Sequence, residues 1–345
     1  DAALLQAVIA AMPDAAMVLD RQGRVVTFDA AARGIAPALA QGALASLALR
    51  VPEVIEAVRE VAAGSAPRRV EFSQRVPVDR WFAAHVAPLS DAAGLMLLVL
   101  HDLTPVHRTE EMRVDFVANA SHELRTPLAA LSGFIDTLRG PARDDPAARE
   151  GFLAIMKTQA TRMARLIDDL LSLSRIELTE HLHPDKPVDL AAIVRQVTDG
   201  LQTLALDRNV EIALALPDEP MIVLGDRDEL TRVFENLVEN ALKYGASGKK
   251  VSVSFSTARG PAGSEALGAV RDYGPGIAAE HLPRLTECFY RVDVTQSRSE
   301  GGTGLGLSLV KHILNRHRGR ILIESEAGKG ATFTARLPLV PSESA

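Results

Sequence analysis

The sequence predicts a multidomain α+β protein. Three observations carry this. Residues 1–104 alternate short strand-like and helix-like runs. Residues 105–180 hold two long heptad-patterned stretches with a breaker between them. Residues 181–345 mix strands, helices and glycine-rich turns. At 345 residues the chain has room for two or three domains.

In the first segment, Ala2–Ala11 reads as a short helix ending at Pro13. Ala15–Leu19 and Arg24–Phe28 read as a strand pair joined through Gly23. Ala38–Leu49 and Glu53–Ala63 read as helices, and Arg68–Gln74, Arg80–Pro88 and Gly94–His101 as strands. Val70, Phe72 and Gln74 alternate with Glu71 and Ser73, as in a half-buried strand. Two strands, short helices and three strands in this length resemble a PAS domain. His85, His101 and Trp81 are candidates to line a ligand pocket there, although no haem or flavin motif is present.

From Val106 to Arg139 the pattern is helical. Val114, Val117, Ser121, Leu124, Leu128, Leu131, Ile135 and Leu138 form a heptad seam. Gly140–Pro146 breaks it, with Asp145 as N-cap and Pro146 as first helical residue of the next helix. That helix carries Phe152, Ile155, Gln159, Met163, Leu166, Leu170 and Leu173 on one stripe. One antiparallel helical hairpin cannot bury both stripes. Two copies can, so a dimeric four-helix bundle is expected.

His122 lies about 100° round from Ser121, off the seam, and should face outward. Glu123 follows it. A carboxylate bonded to one ring nitrogen would fix the tautomer and leave the other lone pair free. An unperturbed imidazole, with a pKa near ~6.5, is mostly neutral at pH 7 and able to attack an electrophile. Pro127 removes the donor for the Glu123 carbonyl, so a bend is expected one turn on. The stretch Asn119–Leu128 resembles the phosphoacceptor box of sensor histidine kinases in two-component signalling. The resemblance implies that His122 is phosphorylated and that Glu123 acts as base. It also implies that Thr126 orients water when the partner protein is dephosphorylated.

Beyond a linker at Pro184–Pro187, Val188–Ala205 reads as a helix, and Val210–Leu216 and Met221–Leu224 as strands. Asp226 and Glu229 stand at capping-box spacing before a helix whose buried stripe is Leu230, Val233, Phe234, Leu237, Ala241 and Leu242. Asn236, Asn240 and Lys243 recur at i, i+4 and i+7 on another face, where amides and an ammonium suit Mg²⁺ and phosphate oxygens. Asp272-Tyr-Gly-Pro-Gly-Ile277 follows a strand-like run. Its aspartate can accept a hydrogen bond from an exocyclic amine such as that of adenine, and Gly274 and Gly276 allow close backbone approach. Gly301-Gly-Thr-Gly-Leu-Gly-Leu307 leads into a helix over Ser308–Arg316, a phosphate site by its exposed N–H groups and helix dipole. Between these motifs, the segment with Phe289, Tyr290, Arg291 and Arg298 suits a lid. Arg320–Ser325 and Ala331–Leu337 read as closing strands.

There is no P-loop and no dinucleotide fingerprint. The segment resembles the α/β sandwich ATP-binding domain of histidine kinases. That resemblance implies ATP and Mg as cofactors, with Asn240 and Asn236 on the metal and Lys243 and Tyr244 facing the nucleotide. It puts Asp272 on adenine, Gly274 and Gly276 around the pocket, and Gly302, Gly304 and Gly306 beside the phosphates. Arg298 is the candidate for the γ-phosphate. The implied domains are a PAS-like sensory domain at 1–104, a dimerisation and phosphotransfer hairpin at 105–180, and a catalytic ATP-binding domain at 181–345. The implied partners are a second copy, through 105–180, and the receiver domain of a response regulator. The order of motifs is similar to that of phosphate-regulon sensor kinases, which implies a cytoplasmic location for these residues and an inner-membrane anchor outside this chain.

Composition bounds these readings. Apolar residues make up 47% and charged residues 24%, and the formal net charge is −6. That balance argues against direct nucleic-acid binding. No apolar run is longer than Leu95–Leu100, which falls far short of the roughly 18 residues that span a bilayer. The one cysteine, Cys288, excludes an intrachain disulfide; it stands where relatives often carry a basic residue and is a candidate redox switch. Two alternatives compete with the kinase reading. An ATPase of the same superfamily would turn over without His122, and a non-catalytic sensory scaffold would bind no nucleotide.

Overall fold

The fold is that of a computed structural model, which describes residues 2–74, 79–90, 94–260, 263–293 and 302–340. The chain divides into two compact units, Asp1–Val117 and Ala118–Ala345.

The first unit is one antiparallel sheet with helices on its faces. Its strands are β1 (Ala15–Leu19), β2 (Val25–Phe28), β3 (Arg68–Gln74), β4 (Arg80–Ser90) and β5 (Leu95–Asp102), in the order β2-β1-β5-β4-β3. Alternation decides its faces. Phe82, Ala84 and Val86 of β4 and Leu98 and Leu100 of β5 join Met17, Leu19 and Phe72 in the core. That core is closed by α2 (Ala30–Ile35), α3 (Ala45–Leu49) and α4 (Pro52–Ala62). The short helix α1 (Ala2–Ala10) covers part of the other face through Ile9, which meets Ala16 and Val18.

Two expectations change here. The helix expected over Ala38–Leu49 shrinks to its last turn, and a helix appears at Ala30–Ile35 instead, where Asp29 caps it by accepting from the Ala32 N–H at 2.6 Å. The histidines expected in a pocket lie on the outer face of the sheet. His85, His101, Asp14 and Arg69 border a shallow cleft there, and His101 Nδ1 sits 2.7 Å from Asp14. Trp81 stacks on His107 with ring centroids 4.3 Å apart, and its backbone N–H donates to the Thr104 hydroxyl at 2.9 Å.

Helix α5 (Thr104–Arg139) runs unbroken through Pro127, and α6 (Pro146–Thr179) returns antiparallel to it. Asp145 caps α6 by accepting from the Ala148 N–H at 3.0 Å, and Pro146 is its first residue, as expected. Phe134 and Phe152 face each other at 5.4 Å. The α5 seam is only partly covered within one chain. Leu128 and Ile135, with Ile155, Ile167 and Leu171 of α6, remain 43–54% exposed.

The rest of the second unit is an α/β sandwich. Its sheet contains β7 (Glu211–Ala215), β9 (Lys250–Gly260), β10 (Gly263–Asp272), β11 (Arg320–Ser325) and β12 (Ala331–Pro338), in the order β11-β12-β10-β9-β7. All pairs are antiparallel except β7 with β9. The helical layer is α7 (Leu190–Gly200), α9 (Arg227–Tyr244) and α10 (Gly306–Arg316). A single helix over Val188–Ala205 is not formed. Pro187–Asp189 is a strand, β6, paired with β8 (Ile222–Leu224), and the helix breaks after Gly200 before α8 (Gln202–Asp207). Leu230, Val233, Phe234, Leu237, Ala241 and Leu242 of α9 are all buried, as the stripe predicts.

Candidate functional site

The N-terminal turn of α9 fixes its pose. Asp226 accepts from the Asp228 and Glu229 N–H groups at 3.0 and 3.1 Å. The expected reciprocal half of the capping box is replaced. The Asp226 N–H donates instead to His317 Nε2 at 2.9 Å, and Glu229 pairs with Arg316. His317 Nδ1 faces the Ile313 carbonyl at 2.7 Å, so the ring is the neutral Nδ1–H tautomer; burial holds its pKa below the usual range.

So posed, α9 presents Asn236, Asn240, Lys243 and Tyr244 to one cleft of about 740 Å³. That lies within the roughly 300–1,000 Å³ of small-molecule sites. Asp272 and Gly276 line the same cleft, as do Gly302, Gly304 and Gly306. Gly274 stands just behind the wall. Its N–H donates to Asp272 Oδ1 at 2.9 Å, and the Ala331 N–H adds a second bond at 3.3 Å. Burial raises the Asp272 pKa, and these backbone donors oppose the rise. The aspartate is therefore held on one oxygen, 6% exposed, at the rim of a cleft.

The cradle requires glycine at Gly276 and at Gly304, which has φ +75°. A Cβ on Gly276, which has φ +70°, would overlap the Glu326 carbonyl oxygen. A Cβ on Gly306 would overlap Asn236 Oδ1. Asn236 Nδ2 donates to the Arg232 carbonyl at 2.8 Å, which turns its oxygen towards the first turn of α10. Among the described residues, no side chain caps that turn. Amide oxygens facing uncapped N–H groups suit a hard cation beside phosphate oxygens. Lys243 is present but neutralised, with Nζ 2.6 Å from Glu239.

The opposite wall was not foreseen. It comes from α6, through Arg165, Asp168, Asp169, Ser172 and Arg175. Asp169 accepts from Arg232 Nη2 at 2.7 Å and from the Thr303 hydroxyl at 2.9 Å. Arg291, 5% exposed at its side chain, donates through Nη2 to the Gly302 and Thr303 carbonyls and to Glu123 Oε2, the last at 2.9 Å. Arg162 reaches the same Glu123 oxygen at 3.0 Å.

His122 is exposed, as the register predicts. Thr126 donates its hydroxyl to the His122 carbonyl at 3.2 Å. Among the described residues, no bond joins Glu123 to the His122 ring. Successive helical residues diverge by about 100°, and Glu123 follows its own direction into the two guanidinium groups. Arg298 lies outside the described residues. Cys288 is half-buried; burial raises its thiol pKa, the opposite of redox activation.

Comparison with known proteins agrees with this geometry. A family model for histidine kinase-, DNA gyrase B- and HSP90-like ATPases matches residues 225–341. A His kinase A phospho-acceptor model matches 112–179, and a PAS fold model matches 9–108. The phosphate regulon sensor protein PhoR of Pseudomonas aeruginosa is 42% identical over 242 residues, covering 69% of this chain and 53% of that protein. The sensor-like histidine kinase SenX3 of Mycolicibacterium smegmatis is 38% identical over 251 residues, covering 73% and 64%. Among solved structures, the Acinetobacter baumannii histidine kinase AdeS aligns with a TM-score of 0.50 at 26% identity, covering 63% of this chain and 98% of that one. The chain spans about half the length of PhoR. No helix among the described residues is long and apolar enough to cross a membrane.

Proposed function

The chain belongs to the sensor histidine kinases, and from that premise we propose that it phosphorylates His122 from Mg-ATP and passes the phosphoryl group to an aspartate of a response regulator. One observation carries the reading. The cleft that gathers Asn240, Asp272 and Gly306 is walled by the hairpin bearing His122, and its Arg291 touches the residue after that histidine.

In this reading 1–104 is the sensory domain, 105–180 the phosphotransfer hairpin and 181–345 the catalytic domain. Asp272 accepts from the adenine amine. Lys243 and Tyr244 flank the nucleotide, and the phosphates run towards Gly302–Gly306 and the N-terminus of α10. The Asn236 and Asn240 amides would hold a divalent cation, which would supply positive charge beside those phosphates. The neutral His122 ring attacks the γ-phosphorus; the N–P bond forms as the bond to the β-phosphate oxygen breaks and ADP leaves. The ring proton goes to Glu123 once its guanidinium partners let go. Thr126 serves the reverse task, orienting water on the phosphorylated regulator.

The exposed apolar residues of α5 and α6 support a homodimer through this hairpin. The likeness to PhoR supports a phosphate-regulon type of sensor, anchored to the membrane by a segment outside this chain. Incubation with Mg-ATP labelled at the γ-position tests the enzymatic reading. Label is expected on the wild type and lost on Asp272→Asn and Asn240→Ala. Equal labelling of all three chains would remove the proposed nucleotide site.

A further inference from the structure

Asp169 is a carboxylate of the phosphotransfer hairpin buried in the nucleotide cleft, 8% exposed. Its oxygens have separate partners. Oδ1 takes Arg232 Nη2, and Oδ2 takes the hydroxyl of Thr303, which lies inside the glycine run and is itself buried. Arg232 is steadied by Ser172, also on α6. A second hairpin carboxylate, Glu123, reaches the same run through Arg291, which also holds the Gly302 and Thr303 carbonyls at 3.1 and 2.9 Å. Two acids of the hairpin therefore grip the loop that is to receive the phosphates.

A buried carboxylate is a poor neighbour for a triphosphate. Like charges repel more strongly where water is excluded. The two anions also seek the same donors: Arg232 and the Thr303 hydroxyl, which Asp169 already holds. Arg291 keeps a buried Nε with no acceptor among the described residues, so its guanidinium has capacity for an incoming oxyanion. Arg165 and Arg175 also line this wall, and Asp168 adds one more like charge.

We propose that Asp169 competes with the terminal phosphate of the nucleotide for the donors of the 302–304 loop, so that the hairpin sets the preference between triphosphate and diphosphate. This rests on the ATP reading above. Binding of ATP displaces the carboxylate and frees the loop from α6. ADP has no γ-phosphate and leaves the contact in place. Linkage makes the effect reciprocal: a chain docked through Asp169 binds ATP more weakly.

Calorimetric titration of the whole chain with Mg-ATP and with Mg-ADP tests this in wild type, Asp169→Asn and Asp169→Ala. Both variants are expected to bind ATP about tenfold more tightly, with ADP affinity changed by less than about twofold. Unchanged or weaker ATP binding in both variants overturns the proposal and makes Asp169 a builder of the site. If no chain binds either nucleotide, the ATP reading itself falls. Should the variants misfold, hydrogen exchange on the wild type decides. ATP should speed exchange of the 166–176 segment of α6 relative to ADP, and equal or slower exchange with ATP overturns the proposal.

Discussion

At the scale of single residues, the geometry separates the proposed nucleophile from its proposed base. His122 is exposed, and its neighbour Glu123 is bound to Arg162 and Arg291. If Glu123 takes the ring proton after release, Glu123→Gln should slow single-turnover labelling by about 10²- to 10⁴-fold. Labelling at the wild-type rate would place the proton elsewhere. His317 gives a stability prediction. Burial lowers its folded pKa below 6.5, so the unfolded chain takes up a proton first as pH falls. Its contribution is complete above about pH 6.5 and is lost as pH drops from there towards the folded-state value. Urea midpoints at pH 7.5 and 5.5 should show this drop, and His317→Gln should reduce it; an unchanged slope would exclude His317 as its source. Cys288 has no activated thiol, so peroxide should affect kinase activity equally in wild type and Cys288→Ser. A response confined to the wild type would reinstate the redox switch.

At the scale of elements, local pattern was a good guide wherever a long face was buried. The α9 stripe was legible because six apolar positions repeat at helical spacing, and the offset row Asn236, Asn240 and Lys243 then had to share another face. Short elements were less legible. The helix at Ala30–Ile35 depends on the Asp29 cap, and that carboxylate also receives the Ala16 N–H from a strand across the turn. The break after Gly200 was hidden by apolar residues on both sides. The cleft's second wall had no sequence signal. Asp169 and Thr303 are separated by 134 positions, and Glu123 and Arg291 by 168. Their pairing follows from docking, which no periodicity encodes. On α9, Leu237→Ala should cost about 2–5 kcal/mol in chemical denaturation, because Leu237 is wholly buried between helices and sheet. A loss under about 1 kcal/mol would mean that the layer repacks.

At the scale of the whole molecule, the two units differ in construction. The first is a filled PAS-like core with its histidines outside it. The second joins the phosphoacceptor helices to the nucleotide cleft. The hairpin leaves Leu128, Ile135 and Leu171 exposed, which a second copy would cover. Ile135→Asp with Leu171→Asp should shift sedimentation from dimer to monomer, and an unaltered dimer would place the interface elsewhere. In the proposed reaction the cleft serves His122. Mapping the phosphorylated residue after incubation with Mg-ATP tests it most directly. The expected result is acid-labile, alkali-stable phosphate on the peptide containing His122, and none on a His122→Gln chain that still binds ATP. Normal labelling of His122→Gln, or acid-stable phosphate on a hydroxyl side chain, would contradict it.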